Sequence, residues 1–164
     1  MPPQRIEPKQ GQESVWDYPR PPRIEPSTRH VRVVFNGEVV AESDRALRVL
    51  ETAGPPTYYF PPTDVRMELL APAQGQTVCE WKGTASYFHA VVQDRTARKA
   101  AWTYPDPNPE YAELRDYVAF YPGRVDASYL DDELVRPQPG TYYGGWITDD
   151  IVGPFKGEPG SETW

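Results

Sequence analysis

Cys79, Lys82, Tyr87 and His89 are the side chains best suited to chemistry in this sequence, and they crowd into one short stretch. Cys79 is the only cysteine and His89 is one of two histidines. Cys79 would act as a nucleophile if a neighbouring cation or base favoured its thiolate, and Lys82 and His89 are the nearest candidates. The plainer alternative is a small thiol packed inside a strand. His89 could serve as a general base, or it could simply be satisfied by local hydrogen bonds. Lys82, with Glu80 and Tyr87, could orient an anionic or carbonyl ligand, or it could be a solvated lysine on a turn. Metal and cofactor chemistry are not expected. His30, His89 and Cys79 are scattered without ligand spacing, no acidic loop has a calcium or magnesium pattern, and no glycine-rich phosphate loop is present.

These side chains need an element to position them, and residues 77–92 read as a β-hairpin with Gly83 in the turn. A two-residue Lys82-Gly83 loop would set Trp81 opposite Thr84 and Cys79 opposite Ser86. Alternation would then place Cys79, Trp81, Ser86 and Phe88 on one face, with Glu80, Tyr87 and His89 on the other. A three-residue loop with a bulge would instead bring Cys79 opposite Tyr87, near His89.

The rest of the chain predicts a mainly β protein with two short helices. Asn36-Gly37 between Val31–Phe35 and Glu38–Glu42 is a strong hairpin signal, because a tight turn of this kind wants positive φ at both central residues. Ser43 can cap a short helix carrying Ala46, Leu47 and Leu50 on one side, ended by Gly54-Pro55-Pro56. Strands follow at Thr57–Phe60, through the central hairpin, and at Ala100–Tyr104. Asn108-Pro109 opens a second helix to about Asp116. Tyr117–Tyr121 returns to strand, turns at Pro122-Gly123 and is expected to pair with Arg124–Tyr129. Residues 1–29, with seven of the 20 prolines, form an N-terminal arm in which Trp16 invites docking. Residues 30–136 form the domain. Residues 137–164 form a second arm, too rich in aromatic and branched residues for a disordered tail.

At 164 residues the chain suits one domain with a real core. A net charge of −7 argues against a nucleic-acid groove or an anionic membrane surface as partner. One cysteine excludes an internal disulfide and points to a reducing, cytoplasmic setting. No apolar run reaches the length of a spanning helix.

Five segments in order resemble one known family. They are Val-Val-Phe-Asn-Gly-Glu-Val-Val-Ala-Glu-Ser (33–43), Tyr-Tyr-Phe-Pro-Pro-Thr-Asp-Val (58–65), Thr-Val-Cys-Glu-Trp-Lys-Gly-Thr-Ala-Ser-Tyr (77–87), Ala-Trp-Thr-Tyr-Pro-Asp-Pro (101–107) and Tyr-Val-Ala-Phe-Tyr (117–121). Together they resemble the signatures of the family called domain of unknown function 427, over roughly residues 31–130. The segments 16–22 and 144–160 resemble extensions of longer, actinobacterial-like members. Glu80 departs from the pattern, which has proline there. The resemblance implies a β-tent: two antiparallel sheets splayed from a shared edge, with a cleft between them. It implies no reaction.

On this reading the chain binds a small molecule in an aromatic-lined cleft, with Tyr59, Trp81, Lys82, Tyr87 and Trp102 as ligand contacts. Two alternatives stay open. One is a small enzyme using Lys82, Tyr87, Cys79 or His89 in acid–base or covalent chemistry. The other is an interaction module whose arms bind a partner or a second copy in a homodimer.

Overall fold

The computed structural model describes residues 3–164. The strands in chain order are β1 (Glu13–Ser14), β2 (Arg23–Pro26), β3 (Val31–Phe35), β4 (Glu38–Ser43) and β5 (Leu47–Leu50). Then come β6 (Thr57–Phe60), β7 (Leu70–Cys79), β8 (Gly83–Val92), β9 (Arg95–Thr103) and β10 (Val118–Phe120). The last five are β11 (Ala127–Leu130), β12 (Glu133–Leu134), β13 (Arg136–Pro137), β14 (Trp146–Ile147) and β15 (Ile151–Val152). The described helices are short 3-10 turns. The chain is mainly β, in two larger sheets.

The Asn36-Gly37 turn forms as its sequence requires. Asn36 has φ 49° and Gly37 φ 79°, and β3 and β4 pair across them. With β11 and β12 they make a four-stranded antiparallel sheet in the order β12-β11-β3-β4. Here one expected pairing fails. After Pro122–Arg124 the chain does not fold back on β10; it crosses to the other sheet, where β11 pairs with β3.

The larger sheet has seven antiparallel strands in the order β2-β5-β6-β10-β9-β8-β7. Its strand β5 corrects the expected helix after Ser43. The capping chemistry is present, since the Ser43 hydroxyl accepts from Arg45 N at 2.9 Å and donates to Asp64 at 2.6 Å. It closes a turn, and Leu47–Leu50 runs on as strand β5. A single helical turn satisfies few of its own backbone groups. As a strand, the same residues find β6 on one side and β2, supplied by the N-terminal arm, on the other. The second expected helix is the 3-10 segment Pro109–Leu114.

Period-two alternation gives the large sheet two apolar faces. Tyr58, Phe60, Val118 and Phe120 point toward the four-stranded sheet and pack with its Val31, Val33 and Phe35. Tyr59, Ala119, Trp102 and Tyr121 point the other way into a separate cluster. The space between the two larger sheets is therefore solid core, not the expected cleft.

Both terminal segments pack on this frame. Trp146 enters the inter-sheet core at 1% exposure, 5.1 Å from the Tyr58 ring centroid, and its Nε1 donates to Phe120 O at 3.3 Å. β1 pairs in parallel with β15, and Trp16 donates from Nε1 to Pro154 O at 2.8 Å. Arg48 on β5 holds the N-terminal segment through Glu13 at 3.1 Å and through Glu25. No helix of the described chain is long and apolar enough to cross a membrane.

Candidate functional site

The outward face of the seven-stranded sheet carries a cavity of about 310 Å³. Tyr59 from β6, Ala85 and Tyr87 from β8, and Trp102 from β9 lie along it. The β7–β8 hairpin closes one end. The segment from Gln138 to Gly144 crosses the other.

The hairpin adopts neither expected register. Cys79 pairs with Gly83, Thr77 with Ala85 and Gln76 with Ser86, so Glu80-Trp81-Lys82 is the loop. Thr77, Cys79, Ala85 and Tyr87 then share the cavity face, and the Thr77 and Tyr87 hydroxyls hydrogen-bond at 2.7 Å. The reason lies outside the hairpin. Asn108 N donates to Lys82 O at 2.9 Å and Asn108 Nδ2 donates to Trp81 O at 2.8 Å, so the 105–108 loop holds the hairpin tip. Gly83 has φ +118°, and a Cβ there would lie 3.3 Å from Asn108 N and 3.4 Å from Asp106 O. Only glycine fits such a backbone so close to another.

This clamp turns Lys82 inward. Its Nζ lies 6.0 Å from the Tyr104 ring centroid, and the residue is half-buried beside Cys79. Burial pushes the Lys82 ammonium toward losing its proton, but Tyr59, Cys79 and Glu51 outweigh it and hold the proton above the ordinary lysine range. The tyrosines move the same way for a simpler reason. Burial disfavours their phenolate forms, raising Tyr59, Tyr104 and Tyr121 above 10. At neutral pH Lys82 is therefore a charged ammonium among neutral tyrosine hydroxyls, with Glu51, Glu80 and Lys156 as the other charged residues of the lining.

The aromatic wall is mutually braced. Trp102 Nε1 donates to the Tyr59 hydroxyl at 3.2 Å, their rings meeting edge-on at 6.1 Å between centroids. Trp102 also lies 4.6 Å from the Tyr121 ring, whose hydroxyl donates to Tyr142 O at 3.2 Å. The C-terminal segment can cross here because residue 144 lacks a side chain: a Cβ would fall 2.4 Å from Trp102 Cη2. Gln138 clips the segment, accepting from Gly145 N at 3.0 Å and donating to Lys156 O at 2.7 Å.

Of the residues singled out in the sequence, Tyr59, Cys79, Trp81, Lys82, Tyr87 and Trp102 line this one cavity. His89 does not. It sits where the β8–β9 register shifts, and its Nδ1 accepts from Lys99 N at 3.0 Å. Tyr58 points to the opposite face. Sequence reasoning missed Glu51, Tyr121, Gln138 and Tyr142 as wall residues. For the last two, the only signal was Gly144-Gly145, a pair that permits close backbone approach. Among the described residues no group of three or more His, Cys, Asp and Glu side chains is placed to hold a metal ion.

A family model described as a domain of unknown function (DUF427) matches residues 23–131. No curated protein matches the chain. The matched residues supply both larger sheets up to Asp131, and hence the cavity floor and the Lys82 loop. Gln138, Tyr142, Tyr143 and Gly144, which cover it, lie beyond the match.

Proposed function

The chain belongs to the DUF427 family, and we propose that it is a cytoplasmic small-molecule-binding protein whose ligand occupies the cavity on the outward face of the seven-stranded sheet. One observation carries the reading. A space of about 310 Å³ is walled by Tyr59, Trp102, Tyr104 and Tyr121, with the Lys82 ammonium turned inward to 6.0 Å from the Tyr104 ring centroid. Ligand sites are built in this way: concave, mostly apolar, with a few polar groups that fix orientation, and volumes of roughly 300–1,000 Å³.

The test is native mass spectrometry of freshly purified protein for a carried-over ligand, followed by a thermal-shift screen of small aromatic compounds. A compound at a hundredfold excess over its Kd stabilises the folded state by about 2.7 kcal/mol, a shift of several degrees. The site is checked with Thr57→Phe, which places a ring at the cavity wall from a partly exposed strand position. Stabilisation that Thr57→Phe abolishes supports the reading. An unliganded mass together with no Thr57-sensitive stabilisation overturns it.

A covalent reading has one observation of its own, the presence of Lys82 and Cys79 together in the lining of one cavity. A cation beside a thiol is what a cysteine nucleophile needs. Cys79→Ala separates the two, since binding survives that change and covalent turnover does not.

A further inference from the structure

We infer that the ligand of this cavity is a small aromatic monoanion whose carboxylate pairs with Lys82 Nζ while its ring lies against Trp102, Tyr104 and Tyr121. The inference rests on the small-molecule reading above and adds the ligand's charge and shape.

The charge follows from what surrounds Lys82. The chain has 24 acidic residues against 17 lysines and arginines, and its arginines are extensively ion-paired. Yet among the described residues no carboxylate lies within ion-pair distance of Lys82. Its neighbours are the Tyr104 ring, tyrosine hydroxyls and the Cys79 thiol, and Glu51 acts on it only from beyond ion-pair distance. A half-buried cation has lost much of its water and is only partly repaid by an aromatic face. An incoming carboxylate completes the pair.

The hydroxyls favour an acceptor as well. The Tyr59 hydroxyl accepts from Trp102 Nε1 at 3.2 Å, a bond that leaves its own O–H hydrogen to donate. A neutral carbonyl compound suits the site less well. Condensation with an amine needs the unprotonated form, and the surroundings hold the Lys82 proton on. The lining holds lysines and acidic residues but no arginine, which suits a carboxylate monoanion at Lys82; a phosphate, carrying more charge and more acceptor oxygens, calls for arginine or several backbone N–H groups. The aromatic walls supply the preference for a planar body.

The experiment compares two nearly isosteric probes, 2-naphthoate and 2-naphthamide, by calorimetry at neutral pH, with inorganic phosphate as a third arm. The expected result is that the carboxylate binds at least tenfold more tightly than the amide, and that phosphate alone does not compete. Lys82→Met abolishes the preference, whereas Lys82→Arg retains a preference for the anion. Equal or tighter binding of the amide by the wild-type chain overturns the inference and needs no variant. Competition by phosphate at comparable concentration also overturns it. If both probes bind equally and Thr57→Phe blocks them, the cavity reading survives without its anion preference. If neither binds, the inference falls. The cavity reading falls with it only if the neutral compounds of the screen fail too.

Discussion

Trp146→Ala should be among the most damaging single substitutions outside the family-matched region. The side chain is 1% exposed, lies 5.1 and 6.1 Å from the Tyr58 and Phe60 ring centroids, and gives its indole N–H to Phe120 O. Truncating a buried tryptophan costs about 3–5 kcal/mol, and the two aromatic neighbours with a buried hydrogen bond place this site in the upper half of that range. At roughly 2–4 °C per kcal/mol for a chain of this size, Tm falls by on the order of 8–20 °C. Denaturant unfolding should show the midpoint moving down with little change in slope, as expected when native packing is lost and the exposed surface is not. The loss should be independent of protein concentration, because Trp146 packs within its own chain. A change below about 1 kcal/mol, or a loss that shrinks as concentration rises, refutes the placement of Trp146 in the inter-sheet core of its own subunit.

Gly83→Ala should cost about 1–3 kcal/mol, from a φ of +118° that alanine resists and a Cβ pressed toward Asn108 N. The Asn108 amide resonance should shift with it, and an unchanged resonance with unchanged Tm would sever the hairpin tip from the 105–108 loop. His30 tests the electrostatics of the four-stranded sheet. Its Nδ1 and Nε2 each lie 2.6 Å from a carboxylate, Asp44 and Glu42, and its backbone N–H donates to Asp131. Both ring nitrogens must carry protons to serve both carboxylates, so hydrogen bonds to Asp44 and Glu42 raise its pKa above 6.5. A raised folded value means stabilisation that is full below about 6.5 and lost as pH rises through the folded pKa. A histidine NMR titration reads this directly, and a His30 midpoint at or below 6.5 contradicts the arrangement.

Where local chemistry decides, the sequence was sufficient. Asn36-Gly37 demanded a turn with two positive φ values, and no distant residue had to agree. Thr57–Phe60 read as a strand between prolines, and the crowding of Cys79, Trp81, Lys82 and Tyr87 marked the neighbourhood of the cavity. Tertiary structure decided whatever two segments had to settle together. Leu47–Leu50 has helical spacing, but two strands far apart in sequence offered it the backbone partners that one helical turn cannot supply. The central hairpin took its register from Asn108, a residue outside it, because hydrogen bonds to Trp81 O and Lys82 O outweigh the small differences between turn types. That register put Cys79 beside Lys82 and left His89 outside the cavity. The cavity's position was equally invisible along the chain. Trp146, Tyr58 and Phe120 fill the space between the sheets, so the concave surface that remains lies on the opposite face, roofed by a segment that only a side-chain-free residue 144 allows across Trp102.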